Sequence, residues 1–277
     1  PPRSTQGVSS AASDVYKRQL IYRRHLRIGG RGPISAVISG IDIALWDIKG
    51  KSLGVPVYQL LGGPVRNNVP IYTHVQDARQ GFTIEQMVTM AKETKQQSHQ
   101  AIKTDPFLSM VNETGPFRSA SLVEKLTPKA INYAVEWVGA LRSEVGWDFE
   151  IMVDAHARFD VASSIAAARE LESMKLIWFE EPVPPESYDA LKEFRENSNV
   201  SISVGESLFT RYDFVPVLQD RLADFVMPDI AWTGGISELR RIASLAESYY
   251  VPFTPVSYTH LRAHETDSYL VCRLLLE

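Results

Sequence analysis

The chain has 277 residues, 44% hydrophobic and 22% charged, enough for one large domain or two modest ones with a sizeable apolar core. Its 29 Lys and Arg against 33 Asp and Glu give a net charge of −4, leaving no basic surplus to favour nucleic acid or an acidic membrane surface. No apolar run approaches the roughly 18 residues of a membrane span, no signal-type block opens the chain, and the single Cys272 excludes a disulfide framework or a CxxC metal site. The composition therefore reads as a globular cytoplasmic protein with neither nucleic-acid nor membrane partners.

Residues 1–19 are rich in Ser, Ala and Pro and carry no sustained apolar period. Ile34, Val37, Ile38, Ile41, Leu45 and Ile48 then recur at helical spacing and predict an amphipathic helix over 34–53, ended by Gly54 and Pro56. After a turn-rich LLGGPVRNN the pattern becomes apolar run, loop and helix, repeated. Candidate strands are Val69–Thr73, Ala101–Thr104, Glu150–Val153, Leu176–Phe179, Ser201–Val204, Phe225–Met227 and Val251–Thr254. In the helix between the second and third strands, Thr127 is the predicted cap and Pro128 suits the first turn. Ile131, Val135 and Val138 form its apolar stripe, and Gly146 closes it; Asp160 caps the next helix. Strands alternating with helices predict an α/β fold with a parallel sheet. Rossmann-type and barrel closures both fit, but no GxGxxG follows an early strand and no GxxxxGK[ST] occurs.

Four successive strands end in an acid: Asp154, Glu180, Glu206 and Asp229, spaced 26, 26 and 23 residues apart. That spacing is about one βα unit, so the acids occupy equivalent positions, and in a closed barrel the C-terminal strand ends ring the catalytic mouth. Three carboxylates converging there repel one another unless a cation neutralises them, and hard oxygen ligands without Cys or clustered His suit Mg²⁺ better than Zn²⁺. The plainer alternative is that each acid merely caps the following helix.

The motifs GIDIALWDIKGKSLGVPVYQLLGG (40–63), AIKTDPF (101–107), VDAHARFD (153–160), FEEPVPPE (179–186), VGESLFTRYDF (204–214) and MPDIAWTGGISE (227–238) resemble those of the enolase superfamily. The likeness is to its mandelate racemase-like branch and, within it, to acid-sugar dehydratases of the galactonate type, over residues 20–255. It implies a (β/α)7β TIM-like barrel under an α+β capping domain, with Asp154, Glu180 and Glu206 as Mg²⁺ ligands and Glu181 turned away from the metal. On this reading residues 20–65 are the last part of the cap and 66–255 an incomplete barrel whose last strand is missing.

The resemblance also implies a chemistry. Removing the proton α to a carboxylate builds up charge that Mg²⁺ offsets, a pairing of Lys or His base with Mg²⁺ that is a general worked case for this superfamily. Lys103 matches the first Lys of the family's Lys-x-Lys motif and supports the substrate carboxylate; the second Lys is replaced by Asp105, which weighs against a racemase and could instead hold a sugar hydroxyl. His156, two residues after Asp154, matches the general acid that protonates the departing β-hydroxyl. Arg158, Arg211 and His74 are weaker candidates for substrate contacts. In the family, the strand-six acid, here Asp229, orients a histidine base on strand seven, where this chain has Val256; His260 and His264 stand in a different register. The expected activity of the parent enzyme is Mg²⁺-dependent dehydration of a sugar acid to a 2-keto-3-deoxy acid, by a homo-oligomer. A racemase or cycloisomerase, or a non-catalytic truncated barrel, is the alternative.

The two ends, 1–19 and 256–277, resemble translated sequencing-adapter DNA, and the chain begins at Pro1 rather than Met. With those ends in place of a base and a final strand, the 277-residue chain is expected to be inactive or poorly folded, because open sheet edges invite aggregation.

Overall fold

The computed structural model describes residues 20, 31–64, 67–68, 70–75, 82–107 and 125–256; residues 1–19 and 257–277, with His260, His264 and Cys272, lie outside the described residues. Packing divides the chain into two units: Pro1–Val69 with Gly205–Asp220 and Val226–Glu277, and Pro70–Val204 with Arg221–Phe225.

The first unit opens with α1 (Pro33–Leu53) and α2 (Val57–Leu60). Pro33 presets the entering turn of α1, and Gly54, left-handed at φ 68°, closes it by donating to Gly50 O and Lys51 O. The second unit alternates β1 (Thr73–His74), α3 (Ile84–Gln96), β2 (Ala101–Thr104), α4 (Pro128–Val145), β3 (Glu150–Asp154), α5 (Val161–Leu171), β4 (Trp178–Glu180), α6 (Tyr188–Asn197) and β5 (Ile202–Val204). There follow α7 (Thr210–Gln219), β6 (Phe225–Val226), α8 (Ile230–Thr233) and α9 (Gly235–Ser248).

The six strands form one sheet in the order β1-β2-β3-β4-β5-β6, and the pairs from β1 to β5 are all parallel. This order runs without reversal, as in a βα barrel, whereas a doubly wound sheet reverses at its switch point. Helix starts follow the cap chemistry of the sequence: Thr127 Oγ1 accepts from Ala130 N at 3.2 Å, Asp160 Oδ1 from Ser163 N at 2.9 Å and Ser187 Oγ from Ala190 N at 3.1 Å. Each such cap contributes about 1 kcal/mol.

The core of the second unit is aromatic. Phe107 meets Phe159 edge-on at 5.0 Å and Phe179 at 6.0 Å, and Phe179 meets Phe194 at 5.7 Å, all four fully buried. Burial of each side chain stabilises the fold by roughly 1.5–3 kcal/mol. The first unit packs Ile230, Ile236 and Leu239 against Ile43, Trp46, Val57, Leu61 and Phe253.

The predicted seventh strand is reduced to single bridges, Val226 to Phe253 and Asp229 to Val256. Pro252 and Pro255 lack the N–H that a continuous ladder needs. No helix among the described residues is long and apolar enough to cross a membrane.

Candidate active site

The parallel register sets Asp154 opposite Glu180 and Lys103 opposite Met152. Side chains alternate faces along a strand, so Lys103, Asp154 and Glu180 share one face. Lys103, at the end of β2 and 3% exposed, reaches across the sheet: its Nζ lies 2.5 Å from Glu180 Oε1 and 2.8 Å from Asp154 Oδ2. Burial alone would lower the Lys103 pKa, but Glu180 and Asp154 together outweigh it and hold the ammonium well above its usual 10.5. Burial pushes Asp154 the other way, and Lys103 and His156 more than offset it, leaving Asp154 at about 2. Asp154 Oδ2, although close to Lys103, accepts no well-aligned hydrogen bond, while Glu180 Oε2 accepts from Trp178 Nε1 at 3.0 Å. A pair of buried carboxylates with an oxygen of incomplete coordination, and no thiolate or imidazole ligand between them, is a donor set suited to a hard divalent cation.

Beyond β3 the chain turns sharply. His156 and Ala157 are left-handed, at φ 52° and 54°, held by His156 N donating to Asp154 Oδ1 at 2.9 Å and Ala157 N to Glu181 O at 2.8 Å. The turn brings the His156 ring to Asp105, with Nδ1 2.8 Å from Asp105 Oδ2. Arg158 Nη2 donates to both Asp105 oxygens, at 2.9 and 2.7 Å, and its Nε donates to Ala155 O at 3.0 Å. Asp105 and Arg158, both suggested by sequence as substrate contacts, are thus joined to each other.

The first unit carries the other two acids. Glu206 is half-buried and follows β5 by two residues; Asp229 is fully buried at the start of α8. Asp229 Oδ1 accepts from Ala231 N at 2.6 Å, which realises the helix-cap alternative at this one position. Its Oδ2 is buried without a hydrogen-bond partner. Burial first, then the charge of Glu206, raises the Asp229 pKa to about 6, against the pull of the Ala231 N–H. Val256 pairs in register with Asp229, so an apolar side chain stands where the resemblance implies a histidine. Arg211 is tied up in structure: its Nη1 lies 2.8 Å from both oxygens of the buried Glu238, which also accepts from Arg241 at 3.1 Å.

His74 ends β1 in register with Lys103, exposed and 6.2 Å from the Tyr72 ring. Sequence reasoning passed over Tyr72 and Trp178. The Tyr72 ring lies 5.9 Å from Lys103 Nζ and edge-on to Trp178 at 5.7 Å. Trp178 was within reach of the strand period, since it sits two residues before Glu180 and so on the same face. Nothing local marks Tyr72.

Residues 74–266 match the family described as enolase C-terminal domain-like, and residues 6–62 match the mandelate racemase/muconate lactonizing enzyme N-terminal domain. The chain belongs to the enolase superfamily, in its mandelate racemase/muconate lactonizing enzyme branch. It is 36% identical over 237 residues to the D-galactonate dehydratase of Xanthomonas euvesicatoria pv. vesicatoria (strain 85-10), an alignment covering 86% of this chain and 58% of that protein. A mandelate racemase/muconate lactonizing enzyme-like protein from Rubrobacter xylanophilus DSM 9941 superposes with a TM-score of 0.79 at 36% identity, covering 88% of this chain and 64% of the other. A racemase from Streptomyces coelicolor A3(2) with bound magnesium superposes with a TM-score of 0.78 at 27% identity, covering 96% and 65%. The chain therefore spans less than two thirds of the length of the curated relatives it matches.

Proposed function

We propose that the protein of which residues 20–255 are the recognisable part is a Mg²⁺-dependent dehydratase of sugar acids, yielding 2-keto-3-deoxy acids. The reading rests on one arrangement: Asp154 and Glu180 in register on adjacent strands, both within 2.8 Å of Lys103 Nζ, which reaches across from β2, with His156 two residues beyond Asp154. Glu206, two residues beyond β5, is the third ligand that the family resemblance implies. The relative named D-galactonate dehydratase and the magnesium-bound racemase support the reaction class and the metal.

A bound Mg²⁺ supplies electrophilic stabilisation of the substrate carboxylate as the α-carbon loses its proton. Lys103 adds a positive charge to the same region. His156 then gives its proton to the β-hydroxyl; the carbon–oxygen bond breaks, water departs, and the enol product tautomerises to the 2-keto acid. Asp229 orients the base at the position opposite it, and Val256 there has no proton to exchange. The 277-residue chain accordingly binds Mg²⁺ but does not turn over. A cytoplasmic location and a homo-oligomeric state complete this proposal.

A racemase needs a second base on the opposite face of the α-carbon. Asp105, in place of the second lysine, has its carboxylate taken up by Arg158 and His156, which weighs against that alternative.

The test is a panel of sugar acids given to the protein expressed from its uninterrupted coding region, with semicarbazide-reactive keto product as the readout. At least one acid should give product, and His156→Asn should abolish it while leaving Mg²⁺ affinity nearly unchanged. Solvent deuterium exchange without keto product would establish the racemase instead. Turnover by the 277-residue chain itself would overturn the role given to the residue opposite Asp229.

A further inference from the structure

Asp105 is a buried carboxylate with both oxygens engaged. Its Oδ1 accepts from Phe107 N at 3.0 Å and Arg158 Nη2 at 2.9 Å; its Oδ2 accepts from Arg158 Nη2 at 2.7 Å and faces His156 Nδ1 at 2.8 Å, nearer than the 3.3 Å from that nitrogen to Asp154 Oδ1. A carboxylate offers about four lone-pair sites; three are filled by Phe107 and Arg158, and the fourth faces His156 Nδ1 rather than open space. The side chain is also shut away, with Asp105 1% exposed. Arg158 neutralises the charge that burial would otherwise expel. Arg158 is itself fixed by Ala155 O, and its guanidinium lies 4.9 Å from the Phe159 ring. The Arg158–Asp105 pair is therefore a rigid platform, and the ring resting on it is His156, which is 23% exposed by its side chain and aimed there by a left-handed backbone.

We propose that Asp105 is a positioning residue for His156: clamped by Arg158, it accepts the Nδ1 proton and fixes the imidazole in the Nδ1–H tautomer. An imidazole with Nδ1–H carries its lone pair on Nε2, which thereby becomes the atom that exchanges protons with the reactant. The inference rests on the proposed acid role of His156 for its purpose, but the tautomer is a property of this chain alone. It also explains how the chain uses a residue that replaces a lysine: Asp105 sets the geometry of a neighbouring acid instead of acting on substrate.

The tautomer can be read directly on the 277-residue chain labelled with ¹⁵N-histidine, by long-range proton–nitrogen correlation in EDTA at about pH 9, where an ordinary imidazole is neutral. His156→Gln assigns the resonance, and the signals of His74 and His99 report whether a variant stays folded. The wild type should show His156 protonated on Nδ1. Asp105→Asn should move the proton to Nε2 in most molecules, and Arg158→Gln should shift the ratio the same way by a smaller factor. An Nε2–H tautomer in the wild type overturns the proposal without any variant, as does a folded Asp105→Asn chain whose tautomer is unchanged. If the Nδ1–H tautomer is found and the longer protein still makes no keto product, the functional reading fails while the positioning role stands.

Discussion

Asp229 holds its charge at a cost. One oxygen caps α8, the other is buried without a partner, and the group titrates at about 6 instead of the usual 3.8. A carboxyl with a raised folded pKa holds its proton more tightly in the native state, so stability falls as pH rises from about 4 to 6 and is level above that. Asp229→Asn keeps an oxygen for the Ala231 N–H and removes the charge. In EDTA it should stabilise the chain by about 1–2 kcal/mol above pH 6, a gain that shrinks to nothing near pH 4; an equal gain at both pH values would contradict this account. The acids themselves were legible in the sequence because βα units repeat at a nearly constant length. The Asp105–His156–Arg158 association was not, since its partners are 51 and 53 residues apart and no local pattern encodes which side chains meet across neighbouring strands.

Among the elements, the start of α9 shows how closely α1 is fitted to it. Gly234 and Gly235 are both left-handed, at φ 119° and 78°; Ser39 Oγ accepts from Gly234 N and Asp42 Oδ2 from Ser237 N, each at 2.9 Å. Trp46 Nε1 adds a bond to Ser237 Oγ at 2.9 Å. A Cβ on Gly235 would stand 2.6 Å from Asp42 Oδ2 and 2.7 Å from its Cβ. Gly235→Ala combines backbone strain with a clash and should cost about 2–4 kcal/mol, seen as a lower urea midpoint; an unshifted midpoint would mean that α1 yields freely. Helix limits were readable because caps are local chemistry: the 34–53 prediction became Pro33–Leu53, and Thr127, Pro128, Gly146 and Asp160 all stand where expected. The first and last strands were less legible. Pro70 sits inside the first predicted run, and Pro252 and Pro255 punctuate the last, so apolar β-type composition there overstated the ladder.

For the molecule as a whole, the proposed Mg²⁺ site links metal to folding. If Asp154 and Glu180 hold an ion only in the folded state, Mg²⁺ at 100 times its Kd should add about 2.7 kcal/mol, raising Tm relative to the same chain in EDTA. Glu180→Gln should remove most of that increment, and a Tm indifferent to Mg²⁺ would sink the ligand assignment. The α/β class followed from alternating strand and helix patterns, whereas the choice of consecutive order needed the strand pairings themselves. That order has a kinetic consequence. Each of β2 to β5 pairs with the strand just before it in sequence, so every addition closes a single loop, the longest being the one between β2 and β3. Because closure entropy grows only slowly with loop length, the successive additions meet comparable barriers, and the sheet can grow from its N-terminal side while the rest of the chain is still being synthesised.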